Sequence, residues 1–410
     1  MSATAIAGSA EPAVRVAQAD PAPSCPPSRI QELDGLRGFS VVMLFMCHYW
    51  TGLYLQNAAH PALSWWARFF FTFNARGIDC FFVLSGFLIG GILLGTRTSP
   101  RYFRTFYLRR FYRLMPLYYV WLGLYILIFV VLGLSRSWTP GFKALAPLPS
   151  YLVFLQNWWH VRTLLCWPHP AWFFIGPMWS LAVEEQFYLV APALIKFCSR
   201  RGLIYCLIFI IGAAPIFRYA LVKLSTAGYL EAFGWTPARL DELAWGLLAA
   251  ALYYDLKWRD WITRHLQQIY GTITLSFLFL LGLHLSQTNY HILEDYYTAP
   301  TAVIGDTVYS LLFSCVVLVL VNDPRSLTAR WFRNRWLSRL ASFSYGAYLV
   351  QLGVLFVCFR LLVHKPPMIE TWADFGVTLI AFPIAILLAL GSWRFFEEPI
   401  LRYARRTFKY

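Results

Sequence analysis

Ionisable side chains occur inside stretches of the chain that are otherwise apolar, and they are where chemistry could take place. Arg37 and His48 stand eleven residues apart in LDGLRGFSVVMLFMCHYW. In a helix this spacing is about three turns and a rise of about 16 Å, so both side chains lie on one face. A neutral imidazole at such a depth can remove a proton from a hydroxyl. Alternatively, both residues are structural: His48 hydrogen-bonds to a neighbouring helix, and Arg37 extends its charged group to the membrane interface.

Carboxylates form the second set of candidates. Asp79 opens the run GIDCFFVLSGFLIGG, and Glu184 and Glu185 lie within WSLAVEEQFYLVAPAL. A carboxylate inside a membrane span needs a partner and is a functional candidate. Because adjacent helical residues point about 100° apart, we expect at most one of the two glutamates to face a given site. Asp79 or Glu184 could orient the imidazole of His48 or bind an acceptor hydroxyl.

A third group of residues could bind a substrate. TPARLDELAWGLLAA brings Arg239, Asp241 and Glu242 to the start of an apolar run. Arg239 and Asp241, together with Glu185, could bind a substrate, and Asp241 could also orient the imidazole. Alternatively, Arg239, Asp241 and Glu242 could pair among themselves as a solvated helix start. Trp179 could stack on a sugar ring. Ser85 is expected to be a small residue at a helix contact.

Arginines are concentrated before the next apolar run, in FYLRRFYRLMPLYY. On a helical surface the spacing places Arg109 and Arg110 beside Arg113. Guanidinium groups bind phosphate through two parallel hydrogen bonds, so this cluster could hold a phosphorylated ligand at the cytoplasmic mouth. Alternatively, these arginines only set the orientation of the helix in the membrane or contact anionic lipids.

The composition shows which elements must position these residues. Of 410 residues, 59% are hydrophobic and only 13% are charged, whereas soluble proteins carry about 25% charged residues. The chain is therefore predicted to be an all-α, polytopic membrane protein. Eight cysteines without a CxxC pair argue against a disulfide framework or a metal site. The net charge of +15 fits cationic cytoplasmic loops better than nucleic-acid binding.

Apolar runs predict about ten transmembrane helices, and charge predicts their orientation. The helices are expected at 36–55, 77–95, 114–134, 178–197, 203–223, 239–254, 268–286, 302–321, 339–362 and 373–393. Lys and Arg concentrate on the side of the N-terminus, so both termini are predicted to be cytoplasmic. Residues 1–30 are expected to be a disordered tail and 404–410 a basic tail. The aromatic connection 135–177 is expected to form an ordered outer cap.

Seven motifs then appear in a fixed order over residues 31–403. They are LDGLRG with its Arg37 and His48 pair, GIDCFFVLSGFLI, RRFYRLMPLYY, WSLAVEEQFYL, RLDELAWG, SFSYGAYLVQ and FEEPILR. In these motifs and their order the chain resembles the acyltransferase-3 family of polytopic membrane acyltransferases, of the carbohydrate O-acyltransferase type. The main domain is thus expected at 31–403.

The resemblance implies an activity and a set of residues. It implies transfer of an acyl group, most often acetyl, from cytoplasmic acyl-CoA to a hydroxyl of a carbohydrate or glycoconjugate in a bacterial inner membrane. The family's essential Arg and His correspond to Arg37 and His48, and its arginine motif to Arg109, Arg110 and Arg113. Gln351 stands where the family often has His, so a titrating role there is not expected.

Several alternatives stay open at this stage. Transfer could be direct, with His48 as general base, or could pass through an acyl-histidine. A transporter or flippase for a lipid-linked saccharide is the competing class, and a membrane scaffold a third. The sequence does not distinguish the acyl chain, the acceptor or the oligomeric state. The expected partners are acyl-CoA, a carbohydrate acceptor and membrane lipids, without nucleic acid or metal.

Overall fold

The structure, a computed structural model, describes residues 30–51, 70, 73–131, 148–159, 170–225, 228–286 and 300–410. Within these ranges every regular element is helical, which confirms the predicted all-α class. The N-terminal tail and parts of the predicted cap lie outside the described residues.

Long helices follow the predicted order closely. They are α1 (Gln31–Phe45), α2 (Gly77–Gly95), α3 (Tyr102–Tyr125), α6 (Trp179–Phe197), α7 (Arg200–Leu224), α9 (Thr236–Tyr253), α11 (Leu266–Leu285), α12 (Asp306–Asn322), α15 (Ser344–Leu362) and α16 (Trp372–Ser392). Shorter ones are α4 (Leu148–Leu152), α5 (Pro170–Ile175), α8 (Gly228–Gly234), α10 (Leu256–Arg264), α13 (Leu327–Phe332), α14 (Arg335–Ser342) and α17 (Glu398–Thr407). Segments of π-helix, Met46–Thr51 and Ile126–Val131, extend α1 and α3, and others lie at Thr301–Gly305 and Trp393–Glu397.

Polar and apolar helices occupy different places in the bundle. Seven described helices are long and apolar enough to cross a membrane, while α1, α6 and α9 are not among them. Those three carry Arg37, the adjacent Glu184 and Glu185, and the Arg239 group, whereas Asp79 lies on α2 and the arginine motif on α3. The apolar window of α11 is only 11% buried inside the protein, whereas that of α2 is 72% buried. The most apolar surfaces are therefore available to lipid, in an integral membrane protein whose charged side chains lie mainly between helices.

Glycines allow two of the inner helices to touch backbone to backbone. A Cβ on Gly86 of α2 would collide with the carbonyl oxygen of Leu243, and a Cβ on Gly246 of α9 would collide with that of Val83. Small residues permit this close approach between membrane helices. The contact brings the N-terminal end of α2, with Asp79, against the start of α9.

The N-terminal part of α3 is the main departure from the predicted boundaries. The helix begins at Tyr102 rather than near residue 114. Its first turns are anchored to other elements, because Tyr107 donates to the carbonyl of Leu189 at 2.8 Å and Thr105 to that of Lys409 at 3.1 Å. The arginine motif consequently lies within α3 and not ahead of it.

The described parts of the connection that was predicted as an outer cap, 148–159 and 170–177, pack against the helix bundle. Gln156 and Asn157 are buried in a 3₁₀ turn. The Gln156 amide donates to the carbonyl of Met178 at 2.8 Å, and the Asn157 amide donates to the hydroxyl of Thr236 at 2.8 Å. Gln186 of α6 donates to Asn157 at 2.9 Å. These bonds tie the cap to the outer ends of α6 and α9.

Candidate active site

Three arginines from two helices converge on one glutamate. Arg37 of α1 lies in electrostatic range of Arg110 and Glu184, and Arg113 lies in range of both Arg37 and Arg110. Glu184 enters from α6. All four side chains are half-buried. We call Arg37, Arg110, Arg113 and Glu184 the arginine pocket.

The guanidinium groups of this pocket have hydrogen-bonding capacity to spare. Arg37 approaches Asp34 only to 3.8 Å. Arg110 lies over the ring of Tyr188 at 5.6 Å, and neither Arg110 nor Arg113 is recorded with an ion pair to the described residues. Glu184 lies in electrostatic range of Arg110 and Arg113 but forms no close ion pair with either within the described residues. The N–H groups of these guanidiniums therefore remain available to an anionic ligand. The pocket therefore suits a phosphate or another oxyanion.

Glu184 belongs to a small polar group on the pocket wall. It lies within hydrogen-bonding reach of Ser85 and Tyr188, whose hydroxyls are hydrogen-bonded to each other. Ser85 was predicted to be a packing residue, but it takes part in this polar group. Glu185 lies in electrostatic range of Arg110 and of Tyr118, and its Oε1 atom is buried without a hydrogen bond to the described residues. Both adjacent glutamates therefore lie near the arginine pocket, contrary to the expectation that at most one would face a given site.

Arg109 does not join the pocket, which corrects its predicted place beside Arg113. Its Nε donates to the carbonyl of Phe408 at 2.7 Å, and its guanidinium lies 5.0 Å from the ring centre of Tyr410. Adjacent residues of a helix diverge by about 100°, so Arg109 and Arg110 cannot both face the interior. Arg37 takes the third position of the cluster instead.

His48 lies in the π-helical segment that ends α1, and its neighbours are firmly anchored. The hydroxyl of Tyr49 donates to the backbone carbonyl of Gln351 at 2.7 Å. The indole of Trp50 donates to Thr378 at 2.9 Å. Local π-helix in an α-helix often marks a functional position. The half-buried imidazole is therefore held where α1, α15 and α16 meet.

The surroundings of His48 differ from those predicted. The one described side chain within hydrogen-bonding reach of the imidazole is Gln351, and Nδ1 of His48 is buried without a formed hydrogen bond. Neither Asp79, Glu184 nor Asp241, the predicted orienting carboxylates, lies beside it. In the described part of the chain, the imidazole is thus free of a carboxylate partner.

A stripe on α15 leads from the arginine pocket towards His48. Tyr345, Tyr348 and Gln351 follow one another at three-residue spacing, which is a rise of about 9 Å in total. Tyr345 lies in electrostatic range of Glu184, and Tyr348 bonds to Ser180 of α6 at 2.7 Å. Gln351 faces His48.

Glu397 was missed as a site residue although it stands in the motif FEEPILR. It is 6% exposed, accepts a hydrogen bond from Ser392 at 3.0 Å and lies in electrostatic range of Arg113. A Cβ on Gly346 would come within 2.8 Å of its Oε1 atom. The glycine of SFSYGAYLVQ therefore makes room for the glutamate that faces the arginine pocket.

The remaining charged candidates form a separate, fully buried ion network. Asp79 bonds Arg239 at 2.5 Å, and Asp306 bonds Arg239 at 3.0 Å. Arg218 pairs with Asp241 through two hydrogen bonds at 2.9 and 2.8 Å. All of these side chains are at most 1% exposed. The network joins α2, α7, α9 and α12 and also includes Arg76 and Glu242.

This network corrects the prediction of a solvated helix start at Arg239, Asp241 and Glu242, because the helix start lies inside the bundle. Trp179 is 6% exposed, and its ring lies 4.5 Å from that of Phe233 and 5.8 Å from the guanidinium of Arg239. Its ring is covered by protein in this conformation. Arg76, Arg218 and Asp306 were missed, although isolated charges in apolar runs were the available signal.

The structure thus combines a histidine held among apolar helices with a cluster of arginines on α1 and α3. The acyltransferase domain family matches residues 30–394. The chain belongs to this acyltransferase-3 family, as its motifs predicted.

Curated relatives are similar over most of the chain. O-acetyltransferase OatA of Staphylococcus aureus is 25% identical over 397 residues, covering 94% of this chain and 59% of the relative. Peptidoglycan O-acetyltransferase OatA of Listeria monocytogenes is 24% identical over 388 residues, covering 90% of this chain and 56% of the relative. The chain thus spans less than two thirds of the length of these bacterial relatives. No solved structure matches the chain.

Proposed function

We propose that this protein is a membrane O-acyltransferase that moves an acyl group, most often acetyl, from cytoplasmic acyl-CoA to a hydroxyl of an envelope carbohydrate. The observation that carries the proposal is the arginine pocket, whose three guanidinium groups lie together and keep hydrogen-bonding capacity for the phosphates of the donor. Family membership and the acetyltransferase names of the relatives support the reaction. The word peptidoglycan in one relative's name makes cell-wall fragments the first acceptors to test.

Because the donor carries charged phosphates, its phosphates and its thioester bind at different depths in the membrane. Phosphate groups are too costly to bring into hydrocarbon, so they remain at Arg37, Arg110 and Arg113. The uncharged pantetheine arm extends along the Tyr345 and Tyr348 stripe and presents the thioester near His48. The acceptor hydroxyl reaches His48 from the outer side.

The reaction needs one proton acceptor and one electrophile. His48 takes the hydroxyl proton while the acceptor oxygen attacks the thioester carbonyl; a C–O bond forms and the C–S bond breaks. The leaving CoA thiolate then takes the proton from the imidazolium, so the step consumes no net proton. General-base catalysis contributes about 10²- to 10⁴-fold, and orientation of the two substrates supplies much of the rest. An acyl-histidine intermediate is the second route, and it predicts labelled protein before labelled product.

The decisive experiment uses the protein in lipid nanodiscs with radiolabelled acetyl-CoA and a panel of peptidoglycan fragments and other envelope sugars. Label should move to a sugar with the wild type and not with His48→Ala. Donor affinity, measured separately, should fall in Arg113→Ala and not in Arg109→Ala, a matched loss of one positive charge from the same helix. Substrate that crosses the bilayer unmodified, without use of acetyl-CoA, would instead establish the transporter.

A further inference from the structure

Two buried polar atoms, one on the proposed base His48 and one on the neighbouring Gln351, lack hydrogen bonds within the described structure. They are Nδ1 of His48 and Oε1 of Gln351. Gln351 is 1% exposed. A buried polar atom without a partner costs about 1–3 kcal/mol, so two of them on neighbouring side chains call for an explanation.

The two atoms are chemically complementary. Nδ1 of a neutral imidazole can carry the ring proton and donate it, while an amide oxygen only accepts. The imidazole lies within hydrogen-bonding reach of the Gln351 side chain. The other ring nitrogen, Nε2, is not among the buried atoms without a partner. Pairing Nδ1–H with Oε1 therefore satisfies both buried atoms and leaves Nε2 for a substrate.

We infer that Gln351 is a positioning residue for His48, which accepts a hydrogen bond from Nδ1–H and so makes Nε2 the proton-accepting nitrogen. This inference rests on the proposed function of His48. Among the described residues, Gln351 is the polar side chain within hydrogen-bonding reach of the imidazole.

The backbone around Gln351 makes it suitable for this task. Its carbonyl oxygen receives the Tyr49 hydroxyl at 2.7 Å, so the same residue anchors α1 beside His48 and fixes the distance between the two helices. The titratable side chains around this contact are Tyr49 of α1 and Cys358 of α15, both uncharged at neutral pH. Thr378 and Phe382 of α16 cover the other side through Trp50 and Tyr49. In the described surroundings an amide thus orients the ring without adding charge.

Three variants separate positioning from helix docking. Gln351→Leu removes the acceptor and should lower kcat about 10- to 100-fold, as loss of an outer hydrogen-bond partner does, while KM for acetyl-CoA stays unchanged. Gln351→Glu keeps the acceptor and should recover much of the rate. Its carboxylate stabilises the imidazolium, so the acidic limb of the pH–rate profile should move to higher pH. Tyr49→Phe, which loses only the interhelical bond, should keep the wild-type profile.

The outcomes are distinguishable from failure of the proposed function. Inactive His48→Ala with wild-type kcat in Gln351→Leu would overturn the positioning role alone. Equal losses in Tyr49→Phe and Gln351→Leu, with unmoved pH profiles, would mean that the contact only docks α1 on α15. Full activity in His48→Ala would overturn the proposed function itself. If Gln351→Leu does not fold in nanodiscs, the isosteric Gln351→Glu decides: an unshifted acidic limb refutes the inference.

Discussion

Removing one partner of a completely buried ion pair should destabilise the bundle strongly. Arg218 and Asp241 are both 0% exposed and are joined by two charge-assisted hydrogen bonds. Asp241→Asn keeps the size of the side chain but leaves the guanidinium without its counter-charge. Breaking a buried pair in this way costs about 3–5 kcal/mol. At about 2–4 °C per kcal/mol for a larger domain, the unfolding midpoint should fall by about 6–20 °C.

The assay is thermal unfolding in nanodiscs followed by the fluorescence of the 18 tryptophans. Two comparisons make the result specific. The double variant Arg218→Met with Asp241→Leu leaves no unpaired charge and should recover most of the lost stability. Glu398→Gln breaks an exposed pair with Arg402, which are 40% and 60% exposed, and should cost at most about 1 kcal/mol. An Asp241→Asn midpoint no lower than that of Glu398→Gln would refute the reasoning.

Three further predictions concern the site and the helix packing. His48→Ala should abolish transfer while its unfolding midpoint stays near that of the wild type; retained turnover would exclude His48 from the chemistry. Arg113→Ala should raise the Kd for acetyl-CoA about tenfold or more, consistent with about 1.5–3 kcal/mol for a hydrogen bond to a charged group, and Arg109→Ala should not. Gly246→Ala should destabilise the protein because the added Cβ meets a backbone carbonyl, whereas Gly271→Ala, with open space around it, should not; equal midpoints in the two glycine variants would contradict the close helix contact.

The helices were predictable because apolar length is a property of the local sequence. Nine of the ten predicted segments begin within a few residues of the observed helices, and the exception is α3, which starts at Tyr102. There the helix continues into an amphipathic part held by Phe408 and Lys409, and no local signal reports such a long-range contact. The π-helical segment around His48 was equally hidden, because it depends on the anchors that Tyr49 and Trp50 find on other helices.

The candidate site was predictable in its residue types and less so in its partners. A charge inside an apolar run is energetically costly and needs a partner. This rule correctly identified Arg37, Glu184 and Asp79 as residues with strong interactions. Sequence spacing could not tell that Asp79 meets Arg239 and Arg76, whereas Glu184 meets the arginine pocket. That distinction depends on which helices are neighbours. For Gln351, the sequence showed only that a glutamine stands where the family often has a histidine, and not that it lies beside His48.

The ion network also determines when the membrane bundle can be completed during synthesis. Asp79 leaves the ribosome 160 residues before its partner Arg239, and Asp306 follows Arg239 after a further 67. Chains are made from the N-terminus, so α2 enters the bilayer with Arg76 as its local counter-charge and without its later partners. The contacts of Gly86 and Gly246 likewise wait for α9. The complete ion network around Asp79 and Arg239 can therefore form only after α12, which carries Asp306, has been synthesised.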